Sequence, residues 1–183
     1  VLLDEVNTTD SYAIIITTNA GLWRYQLGDT IQFTNTAPYR FRINGRTKQF
    51  INVFGEEVMV ENAEKALRIA CEKTNAVVSE YTVAPVFMSS DKKNGAHEWL
   101  IEFENEPEDS GYFAELLDNA LKSLNSDYEA KRYNNYVLQP LLVKTMKKGT
   151  FYSWLRMKQK LGGQHKIPRL SNDRKVVEEI LQL

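Results

Sequence analysis

The stretch INGRTKQFINVFGEEV, residues 43–58, divides the sequence into two differently patterned parts. Before it, residues 12–18 and 39–44 are rich in β-branched and aromatic side chains, a composition that is typical of strands. After it, small apolar residues recur at helical spacing, which predicts a helix over about residues 59–73. A chain that starts with strands and continues with mixed helices and strands favours an α+β fold over a parallel, doubly wound sheet.

The strand-rich first part is too short for a core of its own. Within residues 22–35, the Gly28-Asp29 pair predicts a tight turn between strands, and Asn44-Gly45 predicts another turn. A few strands without helices to cover them are only marginally stable in water. We therefore expect this part to complete a larger sheet.

The second part predicts alternating strands and helices. Residues 76–88 and 97–104 have the composition of two strands joined by a polar hairpin connection. An apolar stripe after them indicates a helix that Asp109 or Ser110 begins. Residues 138–144 predict a further short strand.

Two predicted helices near the C-terminus enclose the stretch GGQHKIPR, residues 162–169. Thr150 is expected to begin the first helix, the glycine pair to end it, and Ser171 to begin the second. Lys166 then lies on a loop with a flexible base and a stiff tip, because proline restricts the residue before it. With Arg169 nearby it can meet an anion, or it can be a solvated lysine in a connector.

Composition and charge limit the class of protein. Hydrophobic residues make up 43% of the chain and charged residues 26%, and no apolar run reaches the ~20 residues of a membrane helix. The single cysteine, Cys71, excludes an internal disulfide and favours a reducing cytosol. Residues 98–129 carry ten acidic side chains and one basic, whereas residues 144–175 carry ten basic and one acidic. The two segments can neutralise each other, or the second can form a basic surface for an anion.

Two further stretches have residue types that suit nucleotide binding. Asp29, after a glycine, can present its carboxylate to a ribose diol or can bond its own backbone in a turn. Arg46 can supply a planar fork of donors, and Gly55 can allow a ligand to approach the backbone. Each feature also fits a plain surface loop.

The order of these stretches resembles the later motifs of adenylate-forming enzymes. More closely, TTNAGLWRYQLGD, residues 17–29, and GQHKIPR, residues 163–169, resemble the TTYAGLYRYRVGD and GQYKTPR stretches of the Gretchen Hagen family of acyl acid-amido synthetases. That family comprises auxin-responsive plant enzymes and their bacterial relatives, and the resemblance extends over nearly the whole chain. Gln26 and the stretch INVFGEEV depart from the plant pattern, so we predict a bacterial-type member and assign Glu57 no phosphate role.

The resemblance implies roles for individual residues. Asp29 would bind the ribose of ATP, Tyr25 would lie beside the nucleotide, and Arg46 would assist at the ribose. Lys48 would mark the hinge of the superfamily. Lys166 would be the catalytic residue, meeting the α-phosphate and the substrate carboxylate. The implied cofactors are ATP and Mg²⁺, with the metal ligands outside this chain.

The family's earlier phosphate-binding motifs do not occur among these 183 residues. The resemblance therefore predicts the C-terminal part of a longer, cytoplasmic ligase, inactive alone. Residues 1–45 would be the last strands of a large N-terminal domain, and residues 46–183 would be a small mobile domain. Its partners would be that N-terminal domain, a carboxylic acid and an amine such as an amino acid, with no membrane.

Two alternative functions stay open. An acyl-CoA-type synthetase would use a thiol as the acceptor in place of the amine. A non-catalytic module would bind an anion or RNA through the basic segment, with Phe151, Tyr152 and Trp154 stacking on bases if exposed. Their helical spacing favours packing in a core, so nucleic-acid binding is not expected.

Overall fold

The structure is a computed structural model that describes residues 1–46, 50–87, 94–160, 162 and 166–183, with the side chains of residues 44–46 left out. Lys48 and residues 89–93 of the predicted hairpin connection, which spans residues 89–96, lie outside the described residues. The chain divides into two compact units, Val1–Gln49 and Phe50–Leu183.

The first unit is a three-stranded antiparallel sheet preceded by a short 3₁₀ helix, Leu3–Glu5. Its strands are, in spatial order, β1 (Ser11–Ile16), β2 (Tyr25–Thr36) and β3 (Tyr39–Arg46). Phe33 in β2 is buried, and its ring makes edge-to-face contacts with Tyr12, Tyr39 and Phe41 at centroid distances of 5.9, 6.0 and 5.9 Å. This aromatic cluster, with the buried Ile31, is the apolar centre of the unit.

The turns predicted in this unit are wrong. Gly28 and Asp29 lie inside the continuous strand β2, where the pairing with β1 shifts between Ala13 and Ile15. Gly28 has a φ of 87°, a conformation that suits glycine, so the chain bulges there without leaving the sheet. Asn44-Gly45 continues strand β3, and residues 37–38 make the turn between β2 and β3.

The described residues of the second unit form two sheets and five α-helices. The small sheet pairs β4 (Phe50–Ile51) with β5 (Val58–Met59), and the larger sheet has the order β6 (Val77–Val86), β7 (Ala96–Asn105), β8 (Leu142–Met146). The helices are α1 (Val60–Thr74), α2 (Ser110–Leu124), α3 (Ser126–Arg132), α4 (Thr150–Met157) and α5 (Lys175–Leu181). Strands β6 and β7 are antiparallel, whereas β7 and β8 are parallel and joined through α2 and α3.

The central strand of the larger sheet, β7, is buried on both faces over most of its length. Trp99, Ile101 and Phe103 pack in a core with α1 and α2, whereas Leu100, between them in sequence, packs with Phe151 and other residues of α4 and α5. Successive side chains of a strand point to opposite faces, so the two helix pairs cover opposite sides of the sheet. The mixed helices and sheets confirm the α+β prediction. No helix in the described part of the chain has the length and apolarity to cross a bilayer.

Several predicted helix boundaries need correction. Asp109 begins α2 as predicted, accepting hydrogen bonds from the backbone of Gly111 and Tyr112. Thr150 does not cap α4, because its hydroxyl donates to the carbonyl of Lys147. Helix α4 ends at Met157, before the glycines, and α5 begins four residues after Ser171. Helix α3 was not predicted, because its seven residues carry little apolar periodicity.

Candidate functional site

The segment that carries Lys166 is fixed against strand β6. Val83 donates its backbone N–H to the carbonyl of Arg169 at 2.9 Å, and the backbone N–H of Ser171 donates to the carbonyl of Val83 at 3.0 Å. The hydroxyl of the fully buried Thr82 donates to the carbonyl of Pro168 at 2.7 Å. The backbone just after Lys166 is therefore held like an added strand, while the Lys166 side chain is exposed.

Arg169 strengthens this attachment. Its guanidinium donates to Glu80 and to the carbonyl of Tyr81, and it lies over the Tyr81 ring, 4.6 Å from the centroid. Burial lowers the pKa of Arg169, and the negative charge of Glu64 opposes that effect. Sequence reasoning placed Arg169 beside Lys166 at an anion site, but in the structure it secures the segment to β6.

Asn172 ties the same segment to strand β4. Its side-chain oxygen accepts from the backbone N–H of Asn52 at 2.8 Å, and its amide group donates to the carbonyl of Phe50 at 2.9 Å. Asn52 in turn accepts from the backbone N–H of Glu57 at 3.2 Å. Sequence reasoning missed Asn172, because an asparagine in a loop is also an ordinary turn residue.

Lys166 lines an open groove of about 280 Å³ with three other lysines. The lining residues are Trp154, Lys158, Lys160, Lys166, Pro168, Lys175, Val176 and Glu179. Lys158 forms a salt bridge with Glu179 at 2.7 Å, and the indole N–H of Trp154 donates to the other oxygen at 3.0 Å. The hydrogen bonds from Lys158 and then Trp154 lower the pKa of Glu179. This excess of cations can hold an anion beside Lys166.

The predicted RNA-stacking residues are mostly buried. Phe151 is 2% exposed and Trp154 is 5% exposed, so neither presents a ring face to a base, and only Tyr152, at 60%, is accessible among the three. Of these three residues the basic segment thus presents a single accessible ring to a base.

The loop between β4 and β5 is held from inside the second unit. The buried Glu56 carboxylate accepts from the backbone N–H of Phe54 at 2.6 Å and contacts the His97 ring nitrogen Nε2 at 2.9 Å. The Phe54 ring lies so close to Gly95 that a Cβ there would collide with it. Gly55 has a φ of 82°, and the side chain of Lys131 is the group that lies against it. Glu57 is exposed.

The other predicted site residues lie in the first unit. Asp29 in β2 is paired with Arg46 in β3, so the two positions face each other on neighbouring strands. Tyr25, at the start of β2, pairs with Ile16 and is about half exposed. The Arg46 side chain is outside the described residues. These three residues share one sheet, and Lys166 belongs to the second unit.

Comparison with known proteins identifies the family. Residues 61–175 match the model of the GH3 family C-terminal domain, and residues 1–46 match the GH3 family central domain. The chain belongs to the GH3 family. The prediction of a Gretchen Hagen family member is thus confirmed, while its bacterial type stays a prediction.

Several plant proteins and solved structures are similar to this GH3 chain. It is 27% identical to the indole-3-acetic acid-amido synthetase GH3.6 of Arabidopsis thaliana over 96% of the chain, and 23% identical to the 4-substituted benzoates-glutamate ligase GH3.12 of the same plant over 96%. The structure of the GH3.15 acyl acid amido synthetase superposes on 98% of the chain with a TM-score of 0.79 and 20% identity. The chain spans 30% of GH3.6, 33% of GH3.12 and 34% of the GH3.15 structure, about a third of each.

Proposed function

We propose that this GH3 chain is the C-terminal portion of an ATP-dependent acyl acid-amido synthetase. The observation that carries the proposal is the exposed Lys166 on a segment fixed to β6, beside a groove with an excess of lysines. The names of the relatives support an acid substrate and an amino acid acceptor. An amine is therefore favoured over a thiol as the acceptor.

In the first proposed step, a carboxylate oxygen of the acid bonds to the α-phosphorus of ATP. The bond from that phosphorus to the bridging oxygen breaks, and pyrophosphate leaves with the electron pair. Lys166 would neutralise charge on the α-phosphate and the carboxylate as they approach. In the second step, the amine nitrogen attacks the acyl carbon, AMP leaves, and the nitrogen loses a proton.

The remaining roles are proposals that follow from family membership. Tyr25 would lie beside the nucleotide, and Asp29 and Arg46 would bind the ribose. Residues 1–45 would complete the large domain and residues 46–183 would form the mobile small domain, in a cytoplasmic enzyme that is inactive without its N-terminal domain. The described residues contain no group of three Asp, Glu, His or Cys side chains that could hold the implied Mg²⁺. The two proposed steps do not use the metal.

The experiment that tests the proposal is acid-dependent exchange of pyrophosphate into ATP by the full-length protein. Lys166→Ala should lower the exchange rate by ~10²- to 10³-fold, the usual cost of losing one preorganised contact to a transition-state charge. Lys147→Ala, which removes an exposed lysine outside the groove, is the matched control and should leave the rate unchanged. A normal rate for Lys166→Ala would remove this residue from the mechanism.

The acceptor is tested separately with the adenylate formed. Adding amino acids should give an amide and AMP, whereas coenzyme A should give no thioester. If a thioester forms and no amide does, the acceptor is a thiol and the proposed amine acceptor is wrong.

A further inference from the structure

The groove beside Lys166 carries more positive charge than one phosphate contact requires. Its four lysines come from separate places: the end of helix α4, the residues after it, the Lys166 segment and helix α5. Glu179 is the one acidic residue among the described residues of the lining, which together have a formal charge of +3. Cations that the fold brings together from distant positions repel one another, and an anion between them relieves that repulsion.

The acidic residue of the groove is already engaged. One oxygen of Glu179 contacts Lys158 and the other accepts from Trp154, at 2.7 and 3.0 Å. Within the part of the chain that the structure describes, Lys160, Lys166 and Lys175 form no salt bridge. Three ammonium groups thus line the groove without a salt bridge to a described carboxylate, although the charge of Lys175 contributes to the lowered pKa of Glu179.

The walls of the groove strengthen the field of these charges. Trp154, Pro168 and Val176 supply apolar surface between the lysines. Low-dielectric walls beside charges of one sign concentrate the electric potential and raise the local concentration of counter-ions. The volume of about 280 Å³ leaves room for an anion larger than a single phosphate.

We propose that this groove binds a diphosphate group, with Lys160 and Lys175 as ligands beside Lys166. A diphosphate carries enough negative charge to match the three ammonium groups that form no salt bridge to a described residue, and lysine binds phosphate oxygens as a compact point charge. The group comes either from inorganic pyrophosphate or from the β- and γ-phosphates of ATP. The inference rests on the proposed function, in which pyrophosphate leaves next to Lys166.

Calorimetric titration of the 183-residue chain with inorganic pyrophosphate, ATP, AMP and orthophosphate tests the site. Pyrophosphate should bind at least ~10-fold more tightly than AMP or orthophosphate, because those two ligands lack a diphosphate. Binding of ATP as well as pyrophosphate would assign the site to both sources, and binding of pyrophosphate alone would assign it to the released product. Equal affinities for pyrophosphate and AMP, or no binding of pyrophosphate, would overturn the inference.

Paired variants separate a specific site from general attraction. Lys160→Gln with Lys175→Gln should weaken pyrophosphate binding by at least ~10-fold. Lys147→Gln with Lys148→Gln changes the net charge equally at exposed lysines outside the groove and should change the affinity by less than about twofold. Equal weakening by both pairs would reduce the effect to net charge and contradict the site.

The two proposals fail in different experiments. If the full-length protein shows no acid-dependent exchange while the chain still binds pyrophosphate through Lys160 and Lys175, the proposed function is wrong and the diphosphate site stands. If exchange depends on Lys166 while the variant lysine pair binds pyrophosphate normally, the site is wrong and the proposed function stands.

Discussion

The basic segment, residues 144–175, contains one region whose charges are neutralised by a carboxylate and one region whose charges are in excess. Lys144 and Arg174 both contact the carboxylate of Glu98, at 2.7 and 2.6 Å, and Glu98 is 4% exposed. The groove lysines, by contrast, exceed the acidic groups near them. The charge pattern of the sequence left two alternatives open, mutual neutralisation or a basic surface. The structure contains a neutralised cluster at Glu98 and a basic groove at Lys166. A run of like charge therefore does not reveal which members have partners.

The neutralised region depends on one buried group. Burial acts to raise the pKa of Glu98, but hydrogen bonds from Lys144 and then Arg174, with their positive charges, lower it overall. Arg174 also donates to the carbonyl of Pro85 at 2.9 Å, so the cluster joins α5 to β6 and β7. Loss of this cluster should lower the free energy of unfolding, whereas loss of the groove charges should lower the affinity for an anion.

The largest effect is expected from Glu98→Gln. The change removes the 2.6 Å ion pair between Glu98 and Arg174 and leaves Arg174, 19% exposed, with the exposed Glu178 at 3.4 Å. Breaking a fully buried ion pair from one side costs about 3–5 kcal/mol. Lys144 is half exposed and can be rehydrated, so we expect a loss of about 2–3 kcal/mol in the free energy of unfolding. Urea unfolding measures it.

Glu178→Gln is the matched control for that measurement. Glu178 lies 3.4 Å from the same Arg174 but its side chain is 61% exposed, so its removal should cost less than about 0.5 kcal/mol. Equal losses for the two variants would contradict the special role of Glu98.

A smaller effect should appear in the pH dependence of stability. Because the pKa of Glu98 is lowered from its ordinary value of 4.5, its stabilisation is present above that value and is lost as the pH falls through the folded-state pKa. Urea unfolding between about pH 7 and 3 should show wild-type stability falling more steeply than that of Glu98→Gln. Parallel curves for the two proteins would show that Glu98 is not the titrating group.

The smallest effect is expected from replacing Lys160 and Lys175 by Gln. Neither residue loses a salt bridge to a described residue, and surface changes of this kind usually alter stability by no more than about 0.5 kcal/mol. The same urea measurement checks this. A loss above about 1 kcal/mol in the free energy of unfolding would show that these lysines stabilise the fold, as Glu98 does, and would contradict the distinction between the two regions.

Periodicity predicted the long elements of the fold and failed where local geometry departs from a repeat. Helix α1 and the start of α2 follow from apolar spacing and the Asp109 cap. Gly28 predicted a turn because a glycine with positive φ serves turns and bulges alike, and only the pairing with β1 distinguishes them. The seven residues of α3 were too few to show a period.

The candidate site was predictable only in part. The resemblance directed attention to Lys166, which the structure places in a groove with other lysines. The attachment of its segment through Thr82 and Asn172 spans 86 and 122 residues of sequence, and no local pattern reports contacts of that range. Arg169 was expected at the anion site, but Glu80 and Tyr81 hold it.

The side chain of Asn172 has a consequence for solubility. Strand β4 pairs with β5 on one side, and a strand at the edge of a sheet presents backbone groups that can template pairing with another molecule. Asn172 occupies two of those groups, the carbonyl of Phe50 and the N–H of Asn52. One amide side chain therefore occupies two backbone groups with which a strand of another molecule could otherwise pair.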